Sequence, residues 1–309
     1  MHLIIFESSA SFPVIAGLLW RAISGGTYVT YNGNNNGGEF VRINGTHFVV
    51  NGKSLYLNGF DAYWLMYMAS DPSMRDNVST TFQHAVQGGM SIGRTFAFRD
   101  GEAKRFGLYL TISLVNNWKE GGGRPQHVEW ARERGENLNS DDEFYTNSMV
   151  KGFYKNHVET VLTRVNSIME VAYKDGPTIF AWELMNEPRC QDDISGKWVQ
   201  DWAAEMAAYV KSIDGNHLLE VGLKGFYGTT FPNKQQELNV FVDTWIQHHI
   251  QESATILKKP LTIDEFGMTS QSPGFSLNKR DNGYEVILEE NPSTANVISQ
   301  QSWRLSSLP

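Results

Sequence analysis

The chain has 309 residues, 41 % hydrophobic and 19 % charged, with a net charge of −8 and a pI near 5.5. That composition suits a globular protein, and one α/β barrel of about 250 residues would fit within it. The acidic balance disfavours nucleic acid and anionic membranes as partners, since both are met by basic patches. A single cysteine, Cys190, excludes an intrachain disulfide, and His and Cys are not clustered at metal-ligand spacing, so no metal site is expected.

At the N-terminus, Leu3-Ile-Ile-Phe6 and the run from Phe12 to Trp20 are apolar enough to suggest a secretory signal. No Lys or Arg precedes them, and Ser8, Ser9, Ser11 and Pro13 interrupt them, so the signal is weak. No other stretch approaches about 18 apolar residues, and no membrane span is expected. A Gly/Asn-rich lead-in follows, which divides the chain into a 1–38 leader region and one domain over 39–309. From Glu39 short β runs alternate with Asn44-Gly45 and Asn51-Gly52, a hairpin signal, and lead into a strand near Phe60.

Strands and helices then alternate. Residues 72–87 predict a helix, Met90 to Phe98 a strand, and Leu108 to Val115 a strand buried on both faces. A loop with Gly121-Gly-Gly123 follows. Residues 142–174 carry a helical stripe that Asp141 is placed to cap. A strand through Glu183 comes next, then a helix capped by Ser195, a strand over Leu218 to Gly222, a helix over 237–257 and a strand over 261–265. Such alternation implies a parallel sheet with helical crossovers.

Two glutamates stand just past short apolar runs: Glu187, in Trp182-Glu-Leu-Met-Asn-Glu-Pro188, and Glu265, in Leu261-Thr-Ile-Asp-Glu-Phe-Gly267. In a barrel, carboxylates at the C-terminal strand ends face the catalytic mouth. Two of them are the minimum equipment for breaking a glycosidic bond. Glu183, earlier in the same strand, reads as structural. His248-His249 reads as a surface pair, because adjacent residues do not share a helical face.

With Asn58 to Met66, Gly93-Arg-Thr-Phe-Ala-Phe98, Leu114-Val-Asn-Asn-Trp118 and Asn291 to Ile298, these motifs make the chain resemble glycoside hydrolase family 5, in particular the plant endo-β-1,4-mannanases. The resemblance implies a (β/α)8 barrel that cleaves internal β-1,4 bonds of mannan, glucomannan or galactomannan with retention. It implies no cofactor, a monomer, a polysaccharide partner and an extracellular, cell-wall location. It makes Glu187 the acid/base and Glu265 the nucleophile, one carboxyl protonated while the other is ionised. Arg94 would pair with Glu265, Asn186 would donate to the sugar 2-hydroxyl, and Trp64 and Trp118 would line the cleft.

Three departures stand against a complete barrel. Only residues 99–107 separate Phe98 from Leu108, too few for a whole crossover helix, so part of helix two is missing. Glu187 and Glu265 are 265 − 187 = 78 residues apart, no sixth strand is evident between Gly228 and Glu237, and no His-x-Tyr, the family's strand-six pattern, occurs. After Gly267 only 309 − 267 = 42 residues remain, and no eighth strand is evident. The alternatives are a non-catalytic carbohydrate-binding or inactive homologue and, within the enzyme reading, an endo-β-1,4-glucanase.

Overall fold

The computed structural model describes residues 2–7, 39–96, 100–167, 169–224, 250–265, 276 and 295–297. Side-chain placement is not described for residues 2–7, 100–102, 223–224, 265 and 295–297. A first strand, β1 (His2–Glu7), precedes a small antiparallel sheet of β2 (Arg42–Asn44), β3 (His47–Val50) and β4 (Lys53–Leu55). Its two turns follow the sequence signal. Gly45 (φ 60°) opens one, while Asn51 (φ 51°) and Gly52 (φ 70°) form the other, both in the left-handed region that such hairpins require. This sheet plugs the N-terminal end of the barrel. Phe48 packs edge-on against Phe180 at 4.9 Å, in a cluster with Val41, Leu57, Ile92 and Leu218.

The alternating part runs β5 (Gly59–Asp61), α1 (Leu65–Ser70), α2 (Arg75–Gln87), β6 (Ile92–Thr95), α3 (Asp100–Arg105), β7 (Tyr109–Ser113), α4 (Arg124–Glu133), α5 (Ser148–Thr163), β8 (Ile179–Glu183), α6 (Lys197–Ile213), β9 (Leu218–Lys224), β10 (Leu261–Glu265) and β11 (Ala295–Val297). The six-residue α3 matches the truncated crossover read in the sequence. The helix expected over 142–174 is shorter. Ser140 caps a 3-10 turn over Asp141–Tyr145, the side chain of Asn147 caps α5, and the chain extends at Arg164 (ψ 128°). Asp141 therefore is not the cap. Gly196, not Ser195, is the N-cap of α6, with a left-handed backbone.

Helices α5 and α6 bury Val150, Tyr154 and Val158, and Trp202, Met206 and Val210, each at helical spacing. Trp202 meets Tyr154, Phe144 and Tyr145 with ring centroids 5.1–5.7 Å apart. These aromatic contacts fix the helical layer against the outside of the sheet.

The main sheet has the order β11-β10-β1-β9-β8-β7-β6-β5. Strands β5 to β9 pair in parallel, as do β10 and β11. β1 lies antiparallel between β9 and β10. It fills the place where the sequence leaves no sixth strand, and β11 stands beside β10, where an eighth is due. The 228–237 span lies outside the described residues.

One ion pair shows that this sheet is rolled. Arg94 on β6 and Asp264 on β10 are five strand positions apart, roughly 24 Å in a flat sheet at about 4.8 Å per strand. Their Nε and Oδ2 atoms lie 3.2 Å apart. Only a sheet curled into a barrel brings them together. Arg94 also meets Asp61 Oδ2 at 3.2 Å and grips Glu183 with Nε and Nη2 at 2.7–3.1 Å. Glu220, on β9, is wholly buried in the same interior, and neither of its carboxyl oxygens has a hydrogen-bond partner among the described residues.

One guanidinium cannot balance four carboxylates. Burial, with Asp264 and Glu183 nearby, pushes Glu220 well above the ordinary carboxylate range and favours its protonated form. The folded state therefore binds this proton more tightly than the unfolded chain. That contribution to stability is complete below the ordinary glutamate pKa and declines as pH rises through the raised one. Glu220→Gln is expected to match or exceed the parent in thermal stability at pH 8 and to flatten the decline between pH 5 and 8; melts across that range check it.

Candidate active site

The stretch from β8 to Arg189 contains Asn186 and Glu187. Arg94 fixes its start through Glu183, the fully buried last residue of β8, so Glu183 is structural, as its sequence position implies. Past the strand, pairing with the β7 chain continues. Asn186 N–H donates to Val115 O at 2.9 Å, and Asn117 N–H donates to Asn186 O at 3.0 Å. The side chain of Asn186 is doubly held. Its Oδ1 accepts from Arg94 Nη2 at 2.8 Å, and its Nδ2 donates to Asn116 Oδ1 at 2.9 Å. An amide nitrogen has two hydrogens, so one N–H of Asn186 has no partner among the described residues.

Glu187 follows in the left-handed region (φ 50°), an uncommon state for a residue with a Cβ that costs on the order of 1–3 kcal/mol and clusters at functional sites. The surrounding contacts impose it. Tyr145, its hydroxyl buried behind the loop, donates to Arg189 O at 3.0 Å and accepts from Arg189 N–H at 3.2 Å. Asp142 accepts the N–H groups of Gln191 and Asp192 and is paired with Arg124. The loop is thus bolted before and after Glu187, while the glutamate side chain stays 18 % exposed.

Trp118 Nε1 donates to Glu187 Oε2 at 2.9 Å, and Arg189 Nη2 lies 3.7 Å from the same oxygen. The Arg189 guanidinium also stacks over the Trp118 ring, 5.0 Å from its centroid. Trp118 is 46 % exposed, so its indole flanks the carboxyl and presents an open face. It lies outside the core.

The glycine loop explains how Trp118 is held. A Cβ on Gly123 would fall 1.7 Å from the Trp118 carbonyl oxygen and 2.6 Å from that of Asn116. Behind it, His127 Nδ1 lies 3.2 Å from Gly123 O; a carbonyl only accepts, so the ring proton sits on Nδ1. Burial holds His127 down to about 4, which keeps the ring neutral.

Of the other expected residues, Trp64 is the N-cap residue of α1, just beyond β5, and is half-buried against the core. No described contact joins it to Glu187. Arg94 sits under Asn186, and its described acidic partners are Asp61, Glu183 and Asp264; the pair with Glu265 that the resemblance implies rests on a side chain outside the described residues. Glu265 closes β10, which runs in the same direction as β8, three strand positions away. Both glutamates therefore leave the same end of the barrel. His248 and His249 lie outside the described residues. Sequence reasoning missed Asn116, Tyr145, Asp142 and Arg189. Asn116 stands beside Trp118 in a motif already singled out, whereas the other three carry no local signal.

Residues 89–248 match the family model described as GH family 5 beta-mannosidase-like. Mannan endo-1,4-beta-mannosidase 4 of Solanum lycopersicum is 44 % identical over 374 aligned positions, which cover 89 % of this chain and 93 % of the relative. The chain belongs to glycoside hydrolase family 5. Mannan endo-1,4-beta-mannosidase 1 of Oryza sativa subsp. japonica is 40 % identical, covering 87 % of this chain and 86 % of the relative. The endo-1,4-beta-mannanase of Rhizomucor miehei superposes with a TM-score of 0.71 at 24 % identity, covering 85 % of this chain and 90 % of that one, a likeness of fold.

The alignment length also bears on the departures. It exceeds the whole chain by 374 − 309 = 65 positions, so the tomato relative carries at least that many residues with no counterpart here. Relative to that protein, this chain lacks internal segments.

Two substitutions test how the site is held. Arg94→Met leaves buried carboxylates uncompensated and is expected to cost about 3–5 kcal/mol in denaturant unfolding. Gly123→Ala, at an ordinary φ of −71°, is expected to cost about 1–3 kcal/mol by crowding alone. An unchanged denaturation midpoint for either would refute the packing described for it.

Proposed function

We propose that the chain hydrolyses internal β-1,4-mannosidic bonds of mannan, glucomannan or galactomannan with retention, acting on polysaccharide of the cell wall outside the cell. The observation that carries this reading is the placement of Glu187. It lies past β8 in a left-handed backbone, hydrogen-bonded to an exposed tryptophan, at the barrel end that Glu265 also leaves.

In this reading Glu187 protonates the glycosidic oxygen while the Glu265 carboxylate attacks the anomeric carbon. Glu187 then takes a proton from the water that releases the sugar. Such a pair works across about 5–5.5 Å. The free N–H of Asn186 reaches the 2-hydroxyl, where a hydrogen bond gains strength as positive charge grows on the ring. Trp118 offers its open face to a sugar and holds the Glu187 carboxyl through its indole N–H. Arg94 acts one layer below. By fixing Glu183 and Asn186 it sets the direction in which Glu187 leaves the strand, and a small error there is costly in rate.

The expected outcome is release of reducing ends from galactomannan by the purified chain, lowered by about 10³-fold or more in Glu265→Ala and in Glu187→Gln. A folded parent chain that releases none rejects the enzyme reading. A second reading has its own support. The sixth strand place is taken by β1, whose sequence His2-Leu-Ile-Ile-Phe-Glu7 contains no His-x-Tyr. Mannohexaose binding without turnover would make the chain a carbohydrate binder, with Trp118 and Asn186 as its contacts. Parallel assays on β-glucan decide between mannanase and glucanase.

A further inference from the structure

We propose that His2–Glu7 is a resident strand of the barrel, recruited from the N-terminus into the sixth position, and that it holds β10 and hence Glu265 in register. The segment is paired along both edges. On one side all six residues pair with β9, from His2 opposite Lys224 to Glu7 opposite Leu219. On the other, Leu3, Ile4 and Ile5 stand opposite Ile263, Thr262 and Leu261, and His2 meets Glu265 past a register shift that leaves Asp264 without an opposite residue.

Without this strand, β9 and β10 would each present a row of unpaired N–H and C=O groups inside the barrel wall. Buried backbone groups do not stay unpaired, and an open sheet edge invites association. β9 and β10 run in the same direction, so the gap between them is one strand wide and accepts an extended segment of either polarity. Leu3-Ile-Ile-Phe6 has the composition of such a segment: a continuous apolar run rich in β-branched residues, as in strands covered on both faces.

The pairing also bears on the apolar N-terminus as a secretory signal. A segment that a peptidase removes cannot serve as the sixth strand, so the two uses exclude each other in the mature chain. The strand also reaches the site. Its first described residue pairs with Glu265 just past a register shift, and a one-residue slip of β10 against residues 3–5 would displace the strand end that carries Glu265.

Hydrogen exchange on the intact full-length chain tests this independently of any hydrolysis. Amides of residues 3–6 are expected to exchange on the order of 10²-fold or more slowly than in an unstructured peptide, like those of β9 and β10. Exchange at the unstructured rate would overturn the proposal without any variant. Protection that appears only at concentrations where a dimer forms would also overturn it, by giving the slot to a second copy's N-terminus. Ile4→Pro, which removes a strand N–H and fixes φ, and deletion of residues 2–7 are expected to strip protection from 218–224 and 261–265. A synthetic peptide spanning residues 1–8 is expected to restore it to the deleted chain. Unchanged protection of both strands in the deletion variant would show that the slot does not need this segment.

Discussion

The structure depends on one buried cation. Arg94 stands inside the barrel and binds Asp61, Glu183 and Asp264, which come from strands on both sides of it and from across the interior. Burying a guanidinium and its carboxylates is costly, and the cost is offset only when the geometry is good and every donor is used. Here Nε, Nη1 and Nη2 all have acceptors, and Nη2 also reaches Asn186. The same contacts close the sheet and aim the strand end that carries Glu187. Closure and site geometry are thus one electrostatic arrangement.

From that base the loop after β8 is built outward by backbone pairing. Asn116 and Asn186 extend the β7–β8 ladder by one bridge beyond the strands. Tyr145 and Asp142 then capture the chain on the far side of Glu187. Between those anchors the glutamate is forced into a backbone state it would not choose. Trp118, on the loop after β7, supplies a hydrogen bond to the Glu187 side chain. A left-handed backbone, a held carboxyl and an exposed aromatic ring thus lie side by side at one end of the barrel.

The loss of internal segments has not left the sheet open at its sixth place. A barrel wall tolerates little unpaired backbone, so extended chain from elsewhere is drawn into the gap. β1 does this at the sixth position, antiparallel to both neighbours, and β11 lies beside β10. Pairing of this kind requires only an extended apolar segment of the right length. It does not restore side chains that an original strand would bring, which is why sheet repair and catalytic competence are separate questions for this family member.

Most of the elements can be read from local residue patterns. Alternating strands and helices, the hairpin turns at Gly45 and Asn51-Gly52, the short α3 and the two glutamates at strand ends were legible because periodicity, turn chemistry and motif spacing are local. The sequence also marked Asn186 and Trp118 through motifs, and Glu183 through its place within the strand. It missed the ends of α5, where Asn147 caps and Arg164 breaks a stripe that runs on in sequence, because stopping a helix depends on what the chain packs against next. Only the tertiary structure decided that Arg94 serves Glu183, Asp61 and Asp264, that Tyr145 and Asp142 hold the Glu187 loop, and that the first residues of the chain lie between β9 and β10. Each of these joins groups far apart along the chain, and their meeting is set by the curl of the sheet and by the need to pair every buried polar group, neither of which is written in any local stretch of residues.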